Sequence, residues 1–245
     1  MAFAQFVLGN MGIDLTDYLG LHYWKSHYFY AWQFVTHMFM HGSIGHIFLN
    51  MFALWMFGSV LENVWGPKRF LTFYLICGVG AALLHLGVFA FEFESMAKAF
   101  DALQNNPTQA QLQTFQDVVN KWSGSLYDFS RAPMNAIYQE LYGGSLSTGQ
   151  YMAGIVDQTS IGASGAVFGL LFAFGYLFPN TLLYIYFLVP VKAKYVVAGF
   201  AVLQLIEGLS NSVGDNVAHF AHLGGMLVGF IVLKIWNKSN RNTLY

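Results

Sequence analysis

The chain has 245 residues, of which 56% are hydrophobic, 18% aromatic and 9% charged, with a formal net charge of −1. A soluble domain carries about 25% charged residues, so this composition excludes an ordinary soluble protein and gives no reason to expect nucleic acid as a partner. A single cysteine, Cys77, excludes an intrachain disulfide, and no Cys/His zinc spacing occurs.

The start of the chain, Ala2 to Leu8, is apolar but too short to cross a bilayer, which takes about 20 residues. Residues 1–9 read either as the remnant of a first membrane helix or as an apolar terminus lying in the interface. Four runs then contain no Asp, Glu, Lys or Arg: 26–61, 70–91, 158–191 and 216–233. Each can hold one span. Residues 195–206 form a fifth apolar stretch, closed by Glu207. These patterns predict spans at 36–60, 69–91, 160–178, 194–210 and 217–236. The fold class is therefore all-α: a polytopic membrane helix bundle expected to have five full spans and a truncated first helix. The expected organisation is residues 1–9, then an outer loop with membrane helices over 10–91. An extramembrane helical insertion over 92–158, membrane helices over 159–236 and a tail over 237–245 follow.

Lys68, Arg69, Lys192, Lys194, Lys234, Lys238 and Arg241 fall in segments that must share one side of such a bundle. They are seven of the eleven basic residues, and the positive-inside rule places them in the cytoplasm. The 92–158 insertion then lies outside. Within it Thr108 is placed to cap a helix running to Trp122. Leu112, Phe115, Val118, Val119 and Trp122 lie on one apolar face of that helix. Ser95 to Leu103 has a weaker helical pattern, and Asn105-Asn106-Pro107 separates the two as a turn. The expected result is a small helical cap on the outer surface, whose role the residues do not specify.

Two strings carry chemistry: Gly162-Ala163-Ser164-Gly165 and Ala221-His222-Leu223-Gly224-Gly225. Ser164 follows Asp157 by seven residues, and His222 follows Asp215 by seven. If both stretches are helical, the side chains lie about 10 Å inside their outer boundaries and meet at one depth. Gly165 with Gly169, and Gly225 with Gly229, form small-residue ridges that allow close approach. A His against a Ser can take the hydroxyl proton during attack on a carbonyl. Gly-Ala-Ser-Gly by itself is also a common helix-packing string.

Near the outer end of the second span stand His37, His41, His46 and Asn50, the last two sharing a helix face. They could donate hydrogen bonds to a developing oxyanion, or pair with one another to hold helices together. A metal site built from His37, His41 and His46 lacks both a His-Glu-x-x-His pattern and a nearby intramembrane carboxylate. Neither a metal nor any other cofactor is expected.

The run Trp32-Gln33-Phe34-Val35-Thr36-His37-Met38-Phe39-Met40-His41, followed by His46 and Asn50, resembles the second membrane helix of rhomboid intramembrane serine proteases of the bacterial type. Glu62, Gly66, Gly162-Ala163-Ser164-Gly165 and Ala221-His222-x-x-Gly225-x-x-x-Gly229 fit the same family. The resemblance implies Ser164 as nucleophile and His222 as general base of a dyad. It implies His46, Asn50 and the Ser164 N–H as the oxyanion hole, with Phe168 stacked on the catalytic histidine and His41 at most behind the site. His219 reads as a structural or surface histidine. Gln33 stands where many relatives carry arginine, which implies altered anchoring of the first outer loop.

The resemblance implies a transmembrane protein as substrate, membrane lipid as surroundings, and a bacterial cytoplasmic membrane with the site facing outward. Oligomeric state and natural substrate are left open. An inactive rhomboid-like scaffold that binds membrane helices is the alternative, and a small-solute transporter is a more distant one, since the polar groups cluster near one face instead of at a midplane.

Overall fold

The computed structural model describes Gln5 and residues 14–106, 108–122, 156–185, 188–210 and 218–241. The expected first-helix remnant, Gln5 apart, and residues 123–155 of the insertion lie outside that set.

One buried side chain organises the first outer loop. Thr16–Leu19 (α1) and Leu21–His22 (β1) precede Gln33–Thr36 (α2) and a 3-10 turn at His37–Phe39. Gln33 has no exposed surface. Its amide oxygen accepts from the His22 and Tyr30 N–H groups, each at 3.2 Å, and its nitrogen donates to the Tyr28 carbonyl at 2.7 Å. An amide can donate and accept at once, so Gln33 ties these loop backbone groups together without itself carrying a charge, and Lys25 of the same loop pairs with Glu94 at 2.7 Å.

The chain then breaks before its first long helix. Met40 is extended, and Ile44–Ala53 (α3) starts after Ser43, whose Oγ accepts from the His46 N–H at 3.1 Å. The predicted span began at 36. His37 and His41 therefore precede the helix instead of sharing it with His46 and Asn50. A π-helical turn at Leu54–Gly58 carries α3 into Ser59–Trp65 (α4), and Ile44–Trp65 forms one apolar segment of 22 residues.

Pro67–Asn105 (α5) is a single helix of 39 residues. At 1.5 Å per residue it is about 58 Å long, nearly twice the hydrocarbon thickness of about 30 Å. The helix thus continues past 91, where the charge-free run ends. Phe73, Cys77, Ala81, His85, Phe89 and Phe93 lie on one buried stripe of it. The outer end pairs with Gln109–Trp122 (α6), which Thr108 caps through its Oγ1 at 3.3 Å from the Gln111 N–H, as its sequence predicts. Phe100 and Phe115 meet there with ring centroids 5.7 Å apart. Tyr23 of the first loop packs edge-on against Phe89 at 4.8 Å, so loop, α5 and α6 share one cluster of apolar side chains.

Thr159–Ser160 (β2) pairs antiparallel with β1. Ser164–Leu177 (α7) follows, then a hairpin of Leu182–Ile185 (β3) and Val189–Lys192 (β4), Ala193–Ser210 (α8) and His219–Arg241 (α9). Ile44–Trp65, α5, α8 and the His219–Asn237 part of α9 are long and apolar enough to cross a membrane. α7 has 14 residues. It is the central helix, with Leu170 and Ala173 wholly buried, and so can be short because its neighbours meet the lipid. The outer faces of the bundle carry Ile44, Phe48 and Trp55, each more than 60% exposed. So much exposed apolar surface is at home in hydrocarbon.

Candidate active site

The segment ahead of Ser164 is not a helix. Thr159–Ser160 is strand, Ser164 is the first residue of α7, and Gly162 turns the chain with φ +130°, a conformation open to glycine and rarely to other residues. The depth expected from seven helical residues after Asp157 is therefore not how Ser164 is placed. The Gly162 N–H instead donates to the His37 carbonyl at 2.9 Å. The His37 ring is held in turn, its Nδ1 lying 2.7 Å from the Gln33 carbonyl. The loop, through Gln33 and His37, thus sets the turn that presents the serine.

Ser164 and His222 do meet: His222 Nε2 lies 2.7 Å from Ser164 Oγ. The glycine ridges bring them together. A Cβ on Gly225 would overlap the Gly165 carbonyl oxygen, and one on Gly229 would come within 3.2 Å of the Gly169 carbonyl oxygen. α7 and α9 are therefore in backbone contact for two turns below the site. Phe168, one turn after Ser164, stacks on the His222 ring with centroids 4.1 Å apart and planes 9° apart.

His46 and Asn50 line the same cavity as Ser164 and His222. A Cβ on Gly162 would sit 2.9 Å from His46 Nε2 and 3.8 Å from Ser164 Oγ, so the absent side chain leaves room for the His46 ring beside the serine. Asn50 is buried, and its Nδ2 has no acceptor among the described residues. The first N–H groups of α7 have no intrahelical acceptor either. His41 packs edge-on against His46 at 5.2 Å, and its ring nitrogens have no hydrogen-bond partner among the described residues. His219 is buried, not at the surface. No three His, Cys, Asp or Glu side chains converge as metal ligands among the described residues.

Two polar residues at the site escaped the sequence motifs. Gln204 of α8 reaches His222 Nδ1 with its Oε1 at 2.6 Å. His85 of α5, fully within the bundle, borders both the main cavity and a small void of about 20 Å³ beside Ser164. Each is an uncharged polar residue inside an otherwise apolar run, which was the available signal. The main cavity, about 800 Å³, extends between α3 and α8 and is walled by apolar groups such as Leu49, Met56, Phe168 and Phe200. A hydroxyl bonded to an imidazole, beside unpartnered donors and above an apolar recess, has the parts acyl transfer requires.

The sequence matches the Rhomboid domain over residues 28–95 and 135–238. It is 26% identical to RHOMBOID-like protein 12, mitochondrial, of Arabidopsis thaliana, over 93% of this chain and 50% of that protein. It is also 26% identical to an uncharacterized mitochondrial rhomboid protein of Schizosaccharomyces pombe, over 87% of this chain and 53% of that one. The chain thus spans about half the length of these two relatives. A shorter match, 29% identical over 30% of this chain and 26% of the relative, is to the rhomboid protease GlpG of Yersinia pestis. The two long matches carry mitochondrial names and lend no support to a specifically bacterial type. No solved structure matches the chain. With the domain matched over most of its length, the chain belongs to the rhomboid family.

Proposed function

We propose that this protein is an intramembrane serine endopeptidase that cuts transmembrane helices through a Ser164–His222 dyad. The observation that carries the reading is the 2.7 Å contact between His222 Nε2 and Ser164 Oγ at the head of the central helix. In the proposed reaction Ser164 Oγ attacks the scissile carbonyl carbon while its proton passes to His222 Nε2. The oxyanion is met by Asn50 Nδ2, the His46 ring and the Ser164 N–H. The C–N bond then breaks as His222 returns the proton to the leaving amine. Water hydrolyses the acyl-enzyme, His222 again acting as base. The void of about 20 Å³ next to Ser164 is large enough for one such water, which needs about 10–15 Å³.

The apolar cavity between α3 and α8 suits a hydrophobic segment better than a soluble peptide. A scissile carbonyl within an intact helix is hydrogen-bonded and shielded, so substrates whose helix is weakened by Gly or Pro near the cut are expected to react fastest. The positive-inside rule supports a site that opens on the side of the membrane opposite Lys68, Arg69, Lys192 and Lys194.

The test is cleavage of a single-span reporter co-reconstituted in liposomes. Wild type is expected to release two fragments, and Ser164→Ala and His222→Ala none. A folded, monodisperse wild type that binds the reporter without cutting it would support the scaffold alternative instead.

A further inference from the structure

We propose that Gln204 is the positioning residue of His222: its amide oxygen fixes the proton on Nδ1 and so leaves Nε2 free to accept from Ser164. The inference rests on the serine endopeptidase reading for its kinetic consequence, but the tautomer it assigns is independent of turnover.

The geometry around Gln204 orders the protons. α8 is otherwise a largely lipid-facing helix, with Leu203, Leu205 and Ile206 between 46% and 57% exposed, whereas Gln204 is 8% exposed. Its Nε2 lies 3.3 Å from Glu207 Oε2. Its Oε1 lies 2.6 Å from His222 Nδ1 and 2.9 Å from His219 Nδ1. A carboxylate oxygen accepts hydrogen bonds. The end of the amide facing Glu207 must therefore be the NH₂ group, and the end facing the two histidines the carbonyl. A carbonyl oxygen also only accepts, so Nδ1 of His222 carries hydrogen. A neutral imidazole has one N–H, which leaves Nε2 as the acceptor for the Ser164 hydroxyl. The chain Glu207 to Gln204 to His222 to Ser164 thus selects the one tautomer that can act as base.

An amide suits this depth. Soluble serine proteases orient their histidine with a buried carboxylate, but an ionised group in hydrocarbon is costly. Here the carboxylate of Glu207 stands near the end of α8 with its side chain 47% exposed, and the uncharged amide carries its directing effect inward. Because Gln204 belongs to α8 and His222 to α9, the seating of α8 governs the readiness of the base.

The experiment uses the full chain in detergent micelles with ¹⁵N-labelled histidine, the His222 signal being assigned by its loss in His222→Gln. Wild type is expected to show a protonated Nδ1 and an unprotonated Nε2, and Gln204→Leu a mixture of tautomers. In reporter cleavage Gln204→Leu is expected to lower kcat about 10- to 100-fold, less than the roughly 10²- to 10⁴-fold that a general base contributes as a whole, because His222 itself remains, with KM unchanged. A wild-type His222 protonated on Nε2 would overturn the proposal whether or not any variant folds. So would wild-type kcat in a Gln204→Leu protein. An inactive wild type with hydrogen on Nδ1 would refute the endopeptidase reading and leave the positioning role standing.

Discussion

α8 and α9 both reach the site, and they are held by opposite means. α9 is joined to α7 through facing glycines that leave no space for a Cβ at Gly225. α8 buries only Ala193, Val197, Gln204 and Gly208 and turns most of its side chains outward. One helix is locked by backbone contact, the other by sparse contacts that include a hydrogen-bonded amide. In lipid, where apolar side chains gain little by leaving hydrocarbon, close packing and hydrogen bonds are the two means of association available. On the proposed reading, the first fixes the distance between nucleophile and base, and the second sets the base's proton.

That contrast can be broken at several strengths. Ser164→Ala or His222→Ala is expected to remove all reporter cleavage, with thermal unfolding near wild type for Ser164→Ala and lowered for His222→Ala, whose buried ring stacks on Phe168 and bonds Gln204. Gly225→Leu attacks the locked pair itself. Its Cβ would overlap the Gly165 backbone, which cannot turn aside as a side chain could, so it is expected to cost about 3 kcal/mol or more and to lower the unfolding midpoint sharply. Asn50→Ala is expected to reduce kcat about 10²- to 10³-fold, the usual cost of one oxyanion donor, with stability unchanged or improved, since its buried Nδ2 has no acceptor among the described residues. Phe168→Leu removes the ring stacked on His222. Stacking of this kind is worth about 0.5–1.5 kcal/mol, so a fall of about 2- to 10-fold in kcat is expected. Leu205→Ala, on the lipid-facing side of α8, is expected to move stability by no more than about 0.5 kcal/mol.

What the sequence made legible follows the same division. The serine, the histidine, the ring four residues after the serine and the two glycine ridges are local patterns on α7 and α9, and the structure brings all of them together. Gln204 was not legible. Its role depends on the rotation of α8 about its own axis and on a partner 18 residues away, and an amide within an apolar run reads as part of the span. His85 was hidden in the same way on α5. The break at 40–43 had a signal that charge counting passed over: Ser43 stands three residues before the His46 N–H it caps. The turn at Gly162 was absorbed into a helix-packing string whose second glycine alone packs helices, since the first supplies a left-handed φ. Charge-free runs locate membrane segments well, but they do not show where a helix begins inside one.

The most direct test of the central claim is fluorophosphonate labelling of the purified full chain. Attack of an activated Ser164 Oγ on phosphorus expels fluoride and passes the hydroxyl proton to His222, so no substrate need be known. Wild type is expected to be labelled at Ser164, with labelling lost in both Ser164→Ala and His222→Ala. A folded wild type that takes no label, or a His222→Ala protein labelled at the wild-type rate, would contradict a Ser164–His222 catalytic pair.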